Sequence, residues 1–248
     1  ADGSIDVGRV RAEAEAMLSA GADILDLGGE STRPGAAEVS VQEELARVIP
    51  VLNSLLDLDT MISVDTRKPE VARAVLALGC HLINDVNGLK DPAMIETIAA
   101  SEAGVCIMHV QGSPETMQAA PSYVDVVAEV RAFLQERFCS ARSAGIQAAR
   151  ICLDPGFGFG KTPRHNIELL ANLRQLQPVG RPILVGLSRK STLGELTGRD
   201  VGERLPAGIA AAVVAVMGGA SFVRVHDVRE TVDALRVAAA VMELDGDS

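Results

Sequence analysis

Residues that could do chemistry stand at the ends of short apolar runs along this chain. Carboxylate and amide oxygens accept hydrogen bonds, whereas Arg, Lys and His donate to anionic oxygens. With their neighbours, these residues are Asp26, Asp65, Asn84, Met108 and His109, Asp154, Ser188 and Lys190, and Arg224 and His226. Arg224 and His226 are two residues apart, so they share one face of an extended strand.

Each of these residues also has an ordinary structural interpretation. A single Asp at a strand end is more often a helix cap or turn former, and His109 fits a hydrogen-bonded core histidine. Burying so many charges together costs too much free energy unless they are paired or bind something. We therefore predict that they form one binding or catalytic site.

The segment RICLDPGFGFGKT (150–162) raises the question of a phosphate-binding loop. Counting back from Gly160, Lys161 and Thr162 places Pro155 where a P-loop requires its first glycine. We predict instead that the glycines let the backbone and the Phe157 and Phe159 side chains form a tight lip. Asp154, at the end of the preceding apolar run, is then the functional residue.

Seven apolar runs predict strands of a sheet. They are ADILDLGG (22–29), TMISVDT (60–66), HLINDVNG (81–88), GVCIMHV (104–110), ARICLDPG (149–156), RPILVGLS (181–188) and ASFVRVHD (220–227). Near-continuous apolar strands that alternate with amphipathic helices are typical of a parallel sheet covered by helices. A (β/α)₈ TIM barrel is the favoured architecture, with strand ends meeting at one mouth. A doubly wound sheet is the alternative, although no Gly-x-Gly-x-x-Gly opens a first βα unit.

Eight helical patterns alternate with these seven runs. The first places Val10, Ala14, Met17 and Leu18 on one face before Gly21, and the last begins near Val228. The others lie near 40–55, 68–78, 91–100, 122–144, 164–176 and 203–218. Because the chain begins just before a helix, we expect a single domain over 1–248 that lacks the first strand of the barrel.

Composition excludes several classes of function. A net charge of −10 and a pI near 4.9 disfavour nucleic-acid binding, and 2% aromatic residues disfavour a base-stacking platform. No apolar run has the length of a membrane span and no signal peptide opens the chain, so we expect a cytoplasmic protein. The four cysteines, which lack Cys-x-x-Cys spacing, are predicted to be buried free thiols.

Read in order, the ends of the seven runs resemble the motifs of the bacterial dihydropteroate synthases. These stretches are GGESTRPGA (28–36), SVDTRKPE (63–70), INDVNG (83–88), MHVQGSPETMQ (108–118), LDPGFGFGK (153–161), GLSRKS (186–191) and RVHDV (224–228). The resemblance covers essentially the whole chain. It implies a transferase of folate biosynthesis that joins (7,8-dihydropterin-6-yl)methyl diphosphate to p-aminobenzoate and releases diphosphate. It further implies a Mg²⁺ requirement, a homodimer and inhibition by sulfonamides.

The resemblance also implies roles for individual residues. The pterin would be held by Asp65, Asn84, Asp154 and Lys190, with Met108 packed against it. The diphosphate would be bound by Arg224, His226 and Thr32. The p-aminobenzoate site would be shaped by Arg33 and Ser191, with an apolar wall of Phe159 and Pro34. The catalytic residues among these would be Asp65, Lys190, Arg224 and His226.

In the implied reaction the diphosphate leaves first, and Asp65 offsets the positive charge of the resulting cation. The neutral aryl amine then attacks without a strong base. The family carries Asn-x-Thr-x-Asp-Ser-Phe at the end of its first strand, and this motif is not in the sequence. Ligands for a metal are therefore unassigned.

Two other functions stay open at this point. A methyltetrahydrofolate-binding methyltransferase would share the pterin pocket but would need no diphosphate site; the Arg224/His226 pair and the STRPGA stretch favour the synthase. A catalytically silent pterin-binding protein is the second alternative, and a turnover assay with the pterin diphosphate would separate it from an enzyme.

Overall fold

Strands and helices alternate along the chain. The computed structural model describes residues 5–31, 35–112, 116–177 and 179–246. Its strands are β1 Ile24–Gly28, β2 Met61–Asp65, β3 Leu82–Asp85, β4 Gly104–Met108, β5 Ile151–Asp154, β6 Leu184–Val185 and β7 Phe222–Val223. Its α-helices are α1 Val7–Ser19, α2 Val41–Leu55, α3 Pro69–Ala77, α4 Pro92–Ala99, α5 Val126–Ser143, α6 Pro163–Ala171, α7 Ser191–Thr197, α8 Leu205–Met217 and α9 Val228–Gly246.

The strands are parallel and follow one another in sequence order. β1 to β5 form one sheet, β6 pairs with β7, and a bridge between Leu153 and Ile183 joins the two sheets. In a doubly wound sheet the strand order would reverse at a switch point, whereas sequential order is that of a barrel. The predicted (β/α)₈ TIM barrel is therefore confirmed, and the described residues contribute seven of its strands.

Side chains alternate between the two faces of the strands. Leu25, Val64, Ile83 and Ile107 point outward into the main apolar core, where they pack with helix residues such as Leu52. Between them in the sequence lie polar residues that face the interior of the barrel, among them Asp26, Ser63, Asp65 and Asn84. The outer face of the sheet therefore packs in the apolar core, and its inner face carries the polar residues available for a binding site.

Local signals fix where several helices begin. Asp6 accepts a hydrogen bond from the Arg9 backbone N–H at 3.0 Å at the start of α1. α3, α4 and α6 each begin on a proline, a position at which the missing N–H has no helical partner. Gly21, with φ of +100°, follows the end of α1 as predicted.

The structure corrects the prediction at two places. All seven predicted strands and eight predicted helices are present, but α7 was not predicted. This helix has seven residues and contains Gly194, so its intrinsic helix propensity is poor. A hydrogen bond of 2.9 Å from Asn166 Nδ2 to Thr192 Oγ1 ties it to α6. Cys139 is exposed on α5, whereas the other three cysteines are buried as expected.

No helix within the described ranges is long and apolar enough to cross a lipid bilayer.

Candidate active site

The strand register brings the predicted pterin residues together at one mouth. Asp65 is paired with Asn84 across β2 and β3, and Met108 is paired with Asp154 across β4 and β5. These four residues are all buried. They sit at or next to the carboxyl ends of neighbouring strands, so residues from four separate stretches of the chain meet at one site.

The interior face of β1 to β3 carries buried polar oxygens that lack a hydrogen-bond partner among the described residues. They are Asp26 Oδ1, Ser63 Oγ, Asp65 Oδ1 and Asn84 Oδ1. Asp26 and Ser63 pair in one row of the register, and Asp65 and Asn84 pair two residues further along. A buried oxygen without a partner is costly, so these rows suit a ligand that presents several N–H groups.

Burial and charge shift the pKa values of the two site carboxyls upward. Burial, reinforced by the negative charge of Asp26, raises the pKa of Asp65 to about 8, although Arg224 partly opposes the shift. Burial also raises the pKa of Asp154, against the opposing effect of Lys190. One oxygen of Asp154 accepts a hydrogen bond of 2.7 Å from the Gly156 backbone N–H. Asp154 therefore has a fixed orientation, whereas Asp65 keeps one oxygen for a ligand.

Lys190 links this pocket to the loop after β5. Its Nζ donates to the Phe157 carbonyl oxygen and lies 4.7 Å from the centroid of the Phe159 ring. Burial lowers the pKa of Lys190 to about 8, partly offset by the charge of Asp154. Phe159 packs with Met108 in a small apolar cluster at the mouth, separate from the main core. Lys190 thus stands between the acceptors of the pocket and an apolar wall.

Arg224 and His226 follow β7 and face the same mouth. The Nε atom of Arg224 is 2.6 Å from Asp26 Oδ2, and its Nη2 atom is 3.8 Å from Asp65 Oδ2. His226 makes two hydrogen bonds with the Ser188 hydroxyl. Its backbone N–H donates to Ser188 Oγ at 3.3 Å, and its Nδ1 atom lies 3.0 Å from the same oxygen. Ser188, which follows β6, therefore orients the imidazole.

The predicted p-aminobenzoate residues are described only in part. Arg33 and Pro34 lie outside the described residues, as does Thr32, which is predicted to bind the diphosphate. Ser191 is exposed at the first position of α7, directly after Lys190.

Glu30 anchors the start of the β1–α2 connection, in which those three residues lie. It accepts a hydrogen bond of 3.0 Å from the Val39 backbone N–H, and it is paired with Lys68 at 3.0 Å and with Arg67. Burial alone would raise the pKa of Glu30, but the hydrogen bonds from Arg67, Val39 and Lys68 bring it down to about 2. Lys68 also pairs with the buried Glu44 at 2.6 Å. This buried ion network fixes the base of the connection.

The loop GFGFGKT is not a phosphate cradle. Lys161 is buried, and its Nζ atom contacts the carbonyl oxygens of Gly156 at 2.9 Å and Phe159 at 3.0 Å and His109 Nδ1 at 2.9 Å. Burial lowers the pKa of Lys161 to about 7 and that of His109 to about 2. Lys161 therefore stabilises the conformation of this loop through its carbonyl oxygens. His109 is a hydrogen-bonded core histidine, as the structural interpretation predicted.

The glycines form the tight lip that the sequence predicts. Gly156 has a φ of +69°, and a Cβ atom there would lie 1.9 Å from the His109 carbonyl oxygen. The prediction for Phe157 was wrong, because its ring is fully buried in the main core and only Phe159 reaches the mouth.

The sequence did not indicate roles for Ser63 and Lys161. It predicted that Asp26 lies at the site but not that Asp26 pairs with Arg224. The available signal for Asp26 was a carboxylate inside the otherwise apolar strand ILDLG. No comparable signal marked Lys161, because its role depends on carbonyl oxygens from the folded loop above it.

Comparisons with known proteins agree with this geometry. A family described as pterin binding enzymes matches residues 2–226. The dihydropteroate synthase of Escherichia coli (strain K12) is 51% identical over 230 residues, which is 92% of this chain and 82% of that protein.

Solved structures give the same result. The Burkholderia cenocepacia dihydropteroate synthase complexed with 7,8-dihydropteroate has a TM-score of 0.93 and 48% identity, over 99% of this chain and 91% of that one. The Yersinia pestis dihydropteroate synthase in a sulfonamide drug complex has a TM-score of 0.93 and 45% identity, over 96% of this chain and 87% of that one.

Proposed function

Because the chain belongs to the family of pterin-binding enzymes, and within it to the dihydropteroate synthases, we propose how its own residues carry out that reaction. The enzyme condenses (7,8-dihydropterin-6-yl)methyl diphosphate with p-aminobenzoate to give 7,8-dihydropteroate and diphosphate. The observation that carries the residue assignments is the set of buried oxygens on β2 and β3 that lack partners among the described residues.

The pterin lies over the rows of acceptors. Its aminopyrimidinone edge presents several N–H donors, which match the free oxygens of Asp65 and Asn84 and the carboxyl of Asp154. Lys190 donates to the ring carbonyl and nitrogen, and Met108 packs against the ring face. A methyltetrahydrofolate methyltransferase would need the same pocket, so these residues give pterin binding and not the reaction.

The diphosphate site distinguishes the synthase reaction from methyl transfer. Arg224 presents a planar fork of donors that suits phosphate oxygens, and His226, oriented by Ser188, adds a further donor. Thr32 completes this part of the proposed site. Binding the leaving group at these three side chains stabilises the charge that develops on it as the carbon–oxygen bond breaks.

Asp65 contributes most at the moment of bond cleavage. Its carboxyl is held largely protonated at neutral pH by burial and by the negative charge of Asp26. The electron pair of the breaking bond leaves with the diphosphate, and the positive charge left in the pterin favours the ionised form of Asp65, whose proton goes to an oxygen of the departing diphosphate. The interaction is therefore stronger in the transition state than in the ground state, as catalysis requires.

The p-aminobenzoate then approaches along the wall formed by Phe159. Its neutral amine forms the new carbon–nitrogen bond at the methylene carbon, and the amine proton goes to water, so no strong base is needed. Arg33, Pro34 and Ser191 are proposed to hold the ring and carboxylate of this substrate. Orientation against the bound cation supplies most of the acceleration of this step.

Mg²⁺ is proposed as the cofactor on the strength of the family resemblance. Within the described ranges, no group of three or more His, Cys, Asp or Glu residues could hold a metal ion. The residues at hand therefore do not form a metal site of their own, and we assign no ligand and no step to the ion. Mg²⁺ characteristically binds substrate phosphates and water with few carboxylates, so it would enter with the diphosphate.

A cytoplasmic homodimer is the proposed state of the protein. The last helices expose apolar side chains, among them Val214 and Met217 on α8 and Val237 and Val241 on α9. Because α8 and α9 pack against each other, exposed apolar side chains on both helices suit an interface with a second copy. Light scattering should give a dimer, and the pair of substitutions Val237→Glu and Val241→Glu should give a monomer.

The experiment that tests the function is a coupled turnover assay. The chain, supplied with the pterin diphosphate, p-aminobenzoate and Mg²⁺, should release diphosphate and 7,8-dihydropteroate in equal amounts. Chelation by EDTA should stop the reaction, and added Mg²⁺ should restore it. Tight dihydropterin binding without turnover would instead identify a silent pterin-binding protein.

A further inference from the structure

We infer that Asp26 is a positioning residue of the diphosphate site, which holds the Arg224 guanidinium through its Nε atom and leaves both Nη atoms for ligand oxygens. The inference rests on the proposed role of Arg224 in binding diphosphate. In the steps described above Asp26 acts only through its charge on the pKa of Asp65, and nothing there uses its contact with Arg224.

The geometry places Asp26 and Arg224 at opposite ends of the strand order. Asp26 lies on the interior face of β1, and Arg224 follows β7, 198 residues later in the chain. The contact is a charge-assisted hydrogen bond of 2.6 Å between Arg224 Nε and Asp26 Oδ2. The guanidinium is planar and rigid, so fixing Nε also fixes the directions of the other donors.

Arg224 has a second carboxylate within reach. Its Nη2 atom lies 3.8 Å from Asp65 Oδ2, which is beyond hydrogen-bonding distance, and loss of the Asp26 charge would favour the ionised form of Asp65 that attracts a guanidinium. Without Asp26, the guanidinium would be drawn across this gap to Asp65. The Nη atoms would then be occupied by a carboxylate that has a free oxygen to offer.

Keeping Arg224 and Asp65 apart matters for both halves of the reaction. A guanidinium bound to Asp65 would offer fewer donors to the diphosphate. It would also neutralise the carboxylate that offsets the positive charge of the cation. Asp26 thereby separates one residue that serves the leaving group from another that serves the cation.

The test is a double-mutant cycle read by calorimetry with inorganic pyrophosphate and, separately, with a dihydropterin that lacks the diphosphate. Asp26→Ala should weaken pyrophosphate binding roughly tenfold, a typical coupling for two residues in contact. The same change should weaken dihydropterin binding less than pyrophosphate binding, because the pterin keeps Asn84 and Asp154 as acceptors whereas the diphosphate loses its oriented guanidinium. In the Arg224→Ala background, Asp26→Ala should have no further effect on pyrophosphate binding.

Two further variants keep the test decisive. Asp26→Asn preserves the shape and an acceptor oxygen, so it should fold and lose only part of the affinity. Asp57→Asn breaks another Arg–Asp pair, between Arg11 Nη1 and Asp57 Oδ1 at 2.7 Å, at the amino ends of the strands, and should change neither affinity.

Unchanged or tighter pyrophosphate binding by the Asp26 variants would overturn the inference, since it would make Asp26 only a competing charge. An equal loss in the Arg224→Ala background would also overturn it. If Arg224→Ala itself leaves pyrophosphate binding unchanged, the proposed diphosphate site fails first.

Discussion

The Nζ atom of Lys190 lies 4.7 Å from the centroid of the Phe159 ring and donates to the Phe157 carbonyl oxygen. The Lys190 side chain therefore contacts the loop after β5 and interacts electrostatically with the Asp154 carboxyl. The proposed pterin pocket and the proposed p-aminobenzoate wall meet at Lys190. Occupation of one is expected to affect the other.

This contact leads to an expected order of binding. p-Aminobenzoate should bind productively only after diphosphate occupies its site, because the diphosphate fixes the surroundings of Lys190 and the loops at the mouth. A sulfonamide should compete with p-aminobenzoate and show the same dependence on pyrophosphate. Calorimetric titration of a sulfonamide with and without pyrophosphate and Mg²⁺ checks the order. Tight sulfonamide binding in the absence of pyrophosphate would contradict it.

Asp154→Ala should weaken dihydropterin binding by roughly 2–4 kcal/mol, since it removes two hydrogen bonds from a buried heterocycle. Asp57→Asn serves as the control for loss of a carboxylate far from the mouth. Isothermal titration calorimetry with a dihydropterin measures both. An affinity that survives the Asp154 change would place the pterin elsewhere.

Asp65→Asn should stabilise the fold while it abolishes turnover. The pKa of Asp65 is raised from 3.8 to about 8 in the folded state, first by burial and then by Asp26. The folded chain thus binds this proton more tightly than the unfolded chain, so this carboxyl lowers the free energy of unfolding as pH rises from about 4 towards 8.

The Asn variant has no carboxyl to titrate, so its free energy of unfolding does not fall in this way. The difference in free energy of unfolding between the variant and the unsubstituted chain should grow between pH 5 and 8 to on the order of 1–3 kcal/mol. Urea unfolding of the two proteins across this pH range measures the difference. A difference that shrinks as the pH rises would show that Asp65 is not protonated in the folded state.

Two glycines with the same backbone conformation separate strain from steric clash. Gly156 and Gly198 both have φ of +69°, but a Cβ atom at Gly156 would lie 1.9 Å from a backbone oxygen, while one at Gly198 would meet nothing within 4 Å. Gly198→Ala should cost roughly 1–2 kcal/mol, the price of a left-handed residue with a side chain.

Gly156→Ala should cost at least twice as much and should also weaken dihydropterin binding, because the Gly156 N–H orients Asp154. Chemical denaturation gives the two stabilities. Equal losses of stability at both positions would mean that the loop at Gly156 shifts to accommodate the added methyl group.

Some features of this protein follow from the sequence alone. The apolar runs and the amphipathic patterns between them define seven strands and eight helices, because strand and helix periodicity are local properties of the chain. The polar residues at strand ends were also recognisable as one site, since burying so many charges together is costly unless they are paired or bind a ligand. Ordered motifs along the whole chain then indicated the family.

Only the tertiary structure decided how these residues are paired. Helix α7 has poor local propensity and depends on a hydrogen bond from Asn166 on another helix. The buried ammonium of Lys161 serves loop carbonyls rather than phosphate, and the Asp26–Arg224 pair joins residues 198 positions apart. Hydrogen bonds and ion pairs of this kind depend on distances between side chains that are remote in sequence, and periodicity and motif spacing carry no information about such distances.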